Sequence, residues 1–201
     1  MPSLAFGAKP AALRCARCGR FVDWAGAQLQ TVCDCRPHLN LPSVLVRQAE
    51  PEDVPEVLAL FRRDFGRSTV IGFGESMAIE DCPMLVAQMR GELAGALAYR
   101  LVRDALHIVA LATDPMWQRS GVGGYLLAEA ELLARREQVH RLVTTTSNDN
   151  LPSLYFFQRH GFRLTEIAPD AFANHMEAPH APGFAGIRVR DEIRLEKQLP
   201  E

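Results

Sequence analysis

The sequence predicts a mixed α/β fold, a sheet with helices on its faces, and three observations lead there. Beyond residue 44, runs of β-forming residues alternate with amphipathic helical patterns. One run, "ALHIVALAT" (105–113), is an almost unbroken apolar stretch of strand length, as expected of a central strand covered on both faces. A turn with glycines, "WQRSGVGGYLL" (117–127), follows it and opens a helix.

The elements follow in order. "VLVRQA" (44–49) reads as a strand. "EPEDVPEVLALFRRDF" (50–65) has acids and a proline in its first turn and apolar residues at Val54, Val57, Leu58 and Phe61, a helix with a proper start. Between Gly66 and Cys82 the pattern is weak, and loop or short helix is expected. "MLVAQMRGELAGALAYRLV" (84–102) is two strands around Arg90-Gly91, a hairpin signal. The helix after the glycine turn carries Leu126, Ala130, Leu133 and Ala134 on one stripe. "RLVTTT" (141–146) is rich in β-formers. "NDNLPSLYFFQRH" (148–160) offers Asn or Asp as a cap, Pro152 in the first turn and Gly161 as the stop. Strands "FRLTEI" (162–167) and "GIRVRDEIRLEKQL" (186–199) close the chain, with an irregular loop between them.

The bulk properties restrict the function. The 201 residues suffice for one ordinary domain and a small appendage, and 48% apolar content excludes disorder of the whole chain. A net charge of -2 excludes a wholesale polyanion binder, yet residues 1–40 hold five Lys/Arg against two Asp, while the remainder holds 17 against 22 acids. "PHLNLPSV" (37–44) reads as a linker, dividing a module over 1–40 from a domain over 41–201. No stretch approaches the roughly 18 apolar residues of a membrane span, and no export signal is evident, so the expected location is cytoplasmic.

The N-terminal cysteines are then better read as metal ligands than as disulfides. Cys15-x2-Cys18 and Cys33-x-Cys35 form two knuckles fourteen residues apart, the makings of a tetrahedral structural zinc site in a zinc-ribbon-like module. The second knuckle has one spacer instead of two, and His38 is a spare ligand. A segment of about 40 residues can hardly bury enough apolar surface to fold unaided, so a metal staple meets a need. Incidental cysteines or a redox pair are the alternatives. Cys82 stands apart as a small buried residue.

Why would a helix begin among glycines? A strand, a Gly-rich turn and a helix start make an anion site, because the first turn presents unpaired N–H groups and glycine lets an anion approach the backbone. The Walker string is absent. A Rossmann turn fails because Leu126 stands where its third glycine belongs. The pyrophosphate of coenzyme A remains.

"LATDPMWQRSGVGGYLL" (111–127) resembles the acyl-CoA-binding signature of the GNAT acetyltransferase superfamily, Q/R-x-x-G-x-G/A, with Gln118, Arg119, Gly121 and Gly123 in order. "NDNLPSLYFFQRHGF" (148–162) resembles the superfamily's second motif, and the element order agrees over roughly 44–199. The resemblance implies a mixed, mostly antiparallel GNAT-type sheet flanked by helices, with acetyl-CoA as substrate. It implies that Gln118, Arg119, Ser120, Gly121, Val122, Gly123 and Gly124 hold the pyrophosphate, and that Leu111, Ala112 and Thr113 pair with the pantetheine arm. From the second motif, Asn150, Ser153 and Phe157 are expected at the cofactor. Phe157 stands where many members carry a tyrosine that protonates the leaving thiolate. Tyr155, about 200° around the helix, does not simply replace it.

Acetyl transfer to an amine needs the amine neutral, and a lysine-like amine has a pKa of about 10.4. His107, eleven residues before Gln118, occupies an offset at which several members carry a catalytic glutamate; the alternative is a structural histidine. Asp191 and Glu192 also invite a role: alternation puts Asp191 on the face of Ile193 and Leu195, where a carboxylate needs a partner, either the substrate amine that it orients or an arginine such as Arg100.

The function expected is N-acetyl transfer from acetyl-CoA to a primary amine of a small molecule or protein. A non-catalytic acyl-CoA-binding module is one alternative. A nucleic-acid or protein adaptor using Lys9, Arg14, Arg17 and Arg20 is another. The expected partners are acetyl-CoA and an amine acceptor, with a homodimer left open, nucleic acid not favoured and no membrane.

Overall fold

The computed structural model describes residues 44–173 and 182–200, together with the backbone of two short strands, β1 (Leu13–Arg14) and β2 (Phe21–Val22), which pair antiparallel. Then come β3 (Val44–Gln48), α1 (Val54–Phe65), β4 (Thr69–Gly72), β5 (Glu75–Ala78), β6 (Met84–Met89), β7 (Glu92–Val102) and β8 (Ala105–Thr113). The chain continues through α2 (Val122–Arg136), β9 (Arg141–Ser147), α3 (Leu151–Arg159), β10 (Arg163–Ala168) and β11 (Glu192–Gln198).

Seven strands form one sheet in the order β10-β11-β9-β8-β7-β6-β3, in which β8 and β9 alone run parallel. The mixed, mostly antiparallel sheet is therefore as expected. Its two faces carry separate cores. On one, α1 lays Val57, Leu58, Leu60 and Phe61 onto Val86, Ala96, Ala98 and Ala110. On the other, Leu126, Leu127, Ala130, Leu133 and Ala134 of α2, with Phe157 of α3, meet Leu97, Leu106, Ile108, Leu142 and Leu195. The expected stripe of α2 is the buried one.

The helix boundaries have local causes. Pro55 lies in the first turn of α1, and Gly66, at φ +73°, stops it with its N–H on the Arg62 carbonyl. The Asn150 side chain caps α3 by accepting the Ser153 N–H at 3.1 Å.

Three expectations are corrected. Residues 66–82 are mainly the antiparallel hairpin β4–β5, closed by Phe73–Gly74, both at positive φ (57° and 76°). Such a two-residue turn usually advertises itself as Asn-Gly or Asp-Gly, and Phe-Gly does not. The last strand begins at Glu192; before it, Phe184–Gly186 is a short 3-10 turn and Pro182 bridges to Arg188. β8 is also less covered than expected, for His107, Val109, Leu111 and Thr113 are only half-buried, Val109 against the core under α1 and Leu111 against the core under α2. An all-apolar run carries no alternation from which that could be read.

Candidate active site

The site begins at a fault in β8. Against β7, Ala110 pairs with Ala98 and Ile108 with Tyr99, so Val109 is an extra residue, a β-bulge. The bulge reverses the alternation. Leu106 and Ile108 belong to the core under α2, whereas Ala110 and Ala112 belong to the core under α1. It also ends the parallel pairing with β9, whose last partners are His107↔Val143 and Ile108↔Thr144. The buried Thr144 hydroxyl donates to the Ile108 carbonyl at 3.2 Å and closes this junction. Beyond it the strands part, and the edge of residues 109–113 on the β9 side has no strand partner among the described residues.

Each parting strand leads to a helix N-terminus. From β8, Pro115–Trp117 form a 3-10 turn capped by Asp114, and Arg63 of α1 steadies that carboxylate at 3.0 Å. Gln118, Arg119, Ser120 and Gly121 follow, all exposed. Gly121 is the N-cap of α2 at φ +93°, a left-handed conformation, and offers no capping side chain. The first bond within α2 runs from the Tyr125 N–H to the Gly121 carbonyl at 3.1 Å, so the N–H groups of Val122, Gly123 and Gly124 precede the helical ladder. Such a start suits an anion. Gly123 has a further reason. A Cβ there would lie 3.0 Å from the Phe156 ring of α3, so this glycine serves helix packing.

From β9, Asn150 opens α3. Its Oδ1 is committed to the cap, while its amide N–H groups and the Ser153 hydroxyl make no hydrogen bond among the described residues. Phe157 is buried in the core, edge-on to Phe156 and Phe162 at centroid distances of 5.2 and 5.1 Å. The Tyr155 hydroxyl is exposed and accepts from Arg159 at 2.8 Å, pointing away from this core as the helical offset requires.

On the α1 face of the sheet, beside the junction, lies a cavity of about 340 Å³. His107 forms part of its floor and stacks under the Phe73 ring at 4.3 Å and 20°. Its other polar walls are Arg100, Arg141, Arg194, Glu75 and Glu196. Arg100 pairs with Glu75 at 2.8 Å, Arg141 with Asp104 at 3.0 Å and Glu196 at 3.3 Å, and Arg194 with Glu166 at 2.6 Å. Burial, then the positive fields of Arg194, Arg100 and Arg141, hold His107 below the ordinary histidine pKa against the weaker pull of Glu196. Its imidazole is thus a neutral acceptor at pH 7.

Two buried carboxylates hold the walls. Glu192 accepts the Phe73 and Gly74 N–H groups at 3.1 and 3.3 Å and clamps the β4–β5 turn over the sheet. Asp149 accepts the Phe184 N–H at 2.9 Å and fixes the loop before β11. Asp191 does take an arginine, but it is the adjacent Arg190, both bonds at 3.0 Å, and not Arg100; it also accepts the Asp170 N–H. Arg190 holds its carboxyl below the usual range. Sequence reasoning singled out Glu192 but missed Arg194 and Glu196, although the alternation of "EIRLE" places all three on one face.

Cys15, Cys18, Cys33, Cys35 and His38 lie outside the described residues. Among the described residues no cluster of His, Cys, Asp or Glu could hold a metal, and no helix is long and apolar enough to cross a membrane.

β8 and β9 thus part at the bulge, with a helix start that lacks a capping side chain at their mouth, and the comparisons show which family shares this fold. The sequence model of the acetyltransferase (GNAT) family matches residues 50–162. YxbD of Bacillus subtilis (strain 168) is 29% identical over 160 residues, spanning 74% of this chain and 94% of its own. Blasticidin-S acetyltransferase of Streptomyces morookaense is 35% identical over 81 residues, 40% of this chain and 59% of that protein. The structure of an IAA acetyltransferase from Bacillus cereus ATCC 14579 superposes with a TM-score of 0.63 at 26% identity, covering 78% of this chain and all of that one. The chain belongs to the acetyltransferase (GNAT) family, and its donor substrate is acetyl-CoA.

Proposed function

We propose that this acetyltransferase moves acetyl to a primary amine by direct attack, with His107 taking the amine's proton. The observation that carries the reading is the half-buried His107 one residue before the point where β8 and β9 part. The pantetheine arm would lie in that parting, against the unpaired backbone of Leu111, Ala112 and Thr113, as an added strand. Its pyrophosphate would take the N–H groups from Gly121 to Gly124, with Gln118, Arg119 and Ser120 around it. The Asn150 amide and Ser153 hydroxyl are free to serve the arm from the other side.

An ammonium entering the cavity loses a proton to the His107 Nδ1 or Nε2, directly or through water. The neutral nitrogen then forms the N–C bond to the acetyl carbonyl as the C–S bond breaks, the surplus proton on the new amide nitrogen passes to water, and His107 gives its proton back to solvent. Phe157 has no proton to give, so the thiolate, with an ordinary thiol pKa of about 8.5, takes one from water; Phe157 serves by packing α3 under the cofactor. On this reading residues 41–201 hold the whole reaction. A structural zinc on Cys15, Cys18, Cys33 and Cys35 would staple residues 1–40, supported by the ligand spacing and by the pairing of β1 with β2, which brackets Cys15 and Cys18.

The test is CoA thiol release by the purified full chain given acetyl-CoA and a panel of amines. Turnover is expected, with a loss on the order of 10²- to 10⁴-fold in His107→Ala and little change in acetyl-CoA affinity. Binding of acetyl-CoA without amine-dependent release would favour the non-catalytic module. Wild-type turnover in His107→Gln would return His107 to a structural role.

A further inference from the structure

The cavity over His107 holds more hydrogen-bond donors than free acceptors. Its carboxylates are both engaged, Glu75 by Arg100 and Glu196 by Arg141. Its guanidiniums are not used up. Arg194 gives Glu166 a single bond and Arg100 gives Glu75 a single bond, both through Nη1, and the Nη2 groups of these two arginines have no partner among the described residues. Arg141 spends one Nη on Glu196 and the other on Asp104. A charged donor at the wall can bond a ligand oxygen, and guanidinium suits a carboxylate. The remaining walls, the Phe73 ring with Val102 and Val143, suit a small apolar body. At about 340 Å³ the cavity is near the lower end of small-molecule sites, roughly 300–1,000 Å³.

We propose that the acceptor is a small amine that also carries a carboxylate, an amino acid in shape and charge. Its carboxylate binds on the Arg194 side and its amine faces His107. The proposal rests on the cavity being the acceptor site of an N-acetyltransferase. A polyamine fits it less well, because each further ammonium group would have to break an existing Arg–Glu pair to find an anion.

The experiment compares L-amino acids with their own amides, and with spermidine, as acceptors for the full chain, reading thiol release. The amide's amine is less basic, so chemistry alone favours the amide. At least one amino acid is expected to exceed its amide at least tenfold in kcat/KM. Arg194→Gln should bring that ratio close to one by raising the KM of the amino acid, and Arg136→Gln, on α2 across the sheet, should leave the ratio alone. If Arg194→Gln does not fold, Arg100→Gln replaces it, and the wild-type ratio already decides. Amides equal to or better than amino acids, or spermidine preferred over every amino acid, would overturn the proposal while N-acetyl transfer stands. Release with none of these amines, but with other primary amines, overturns it in the same way. Release with no amine at all overturns N-acetyl transfer, and this proposal with it.

Discussion

Protonating His107 would put a positive charge among Arg100, Arg141 and Arg194, in a partly buried site under the Phe73 ring. Its folded pKa therefore lies below the unfolded value of about 6.5. Two expectations follow from that direction. The acid limb of kcat/KM, rising as the base loses its proton, should fall below pH 6.5 and vanish in His107→Gln. In the window between the two pKa values the unfolded chain binds the additional proton, so the stability from this group is full above about pH 6.5 and is lost as pH falls through the folded pKa. The melting temperature of His107→Gln should drop less than that of the wild type between pH 7.5 and 5.5; an equal drop would deny the shift. Glu192 poses a different question at the same scale. Glu192→Ala leaves the Phe73 and Gly74 N–H groups without an acceptor, an expected loss of about 1–3 kcal/mol by denaturant unfolding. Since the turn roofs the cavity, the KM of the acceptor should rise more than that of acetyl-CoA.

At the scale of elements, the two glycines that open α2 separate into different roles. Gly121 is set by its φ of +93°, and a Cβ there meets nothing nearer than 3.7 Å. Gly121→Val should cost about 1–2 kcal/mol for the left-handed backbone and abolish acetyl-CoA binding in a protein that still folds. Gly123→Val puts a branched side chain into the Phe156 ring, so it should lower the melting temperature as well as the affinity, by prising α3 from α2. Calorimetric titration beside thermal unfolding distinguishes them. Undiminished affinity in folded Gly121→Val would remove the pyrophosphate from this turn. The second glycine reads as a ligand residue in the sequence because helix–helix contacts leave no local mark.

At the scale of the whole molecule, the buried members of both cores among the described residues run from Val57 to Leu199, with Val44 and Val46 packed against one of them. The acetyltransferase domain should therefore keep its fold whether or not the N-terminal cysteines hold a metal. About one zinc per chain is expected on elemental analysis of freshly purified, reduced protein, absent in the double variant Cys15→Ser, Cys18→Ser. That variant should keep the cooperative unfolding and the acetyl-CoA affinity of the wild type. Metal-free wild type would sink the zinc reading. Loss of affinity in the variant would show that the two parts depend on each other.

By itself the sequence determined what rests on neighbours along the chain. Turn residues and 3.6-residue periodicity marked α1, α2 and α3, the Asn150 cap is local, and "QRSGVGG" announced a helix start suited to an anion. It also singled out His107, the one ionisable side chain in an apolar strand. Only the tertiary structure decided what surrounds that histidine. Val109 becomes a bulge because of its register with β7, and the bulge moves Ala110 and Ala112 to the opposite face and lets β8 leave β9. Phe73 reaches the imidazole because Glu192, 119 residues farther along the chain, clamps its turn. The cavity over His107 is made from β5, β7, β8, β9 and β11, and no local pattern encodes which strand lies beside which. That pairing is settled by the packing of whole faces, through which distant residues first come within hydrogen-bonding reach.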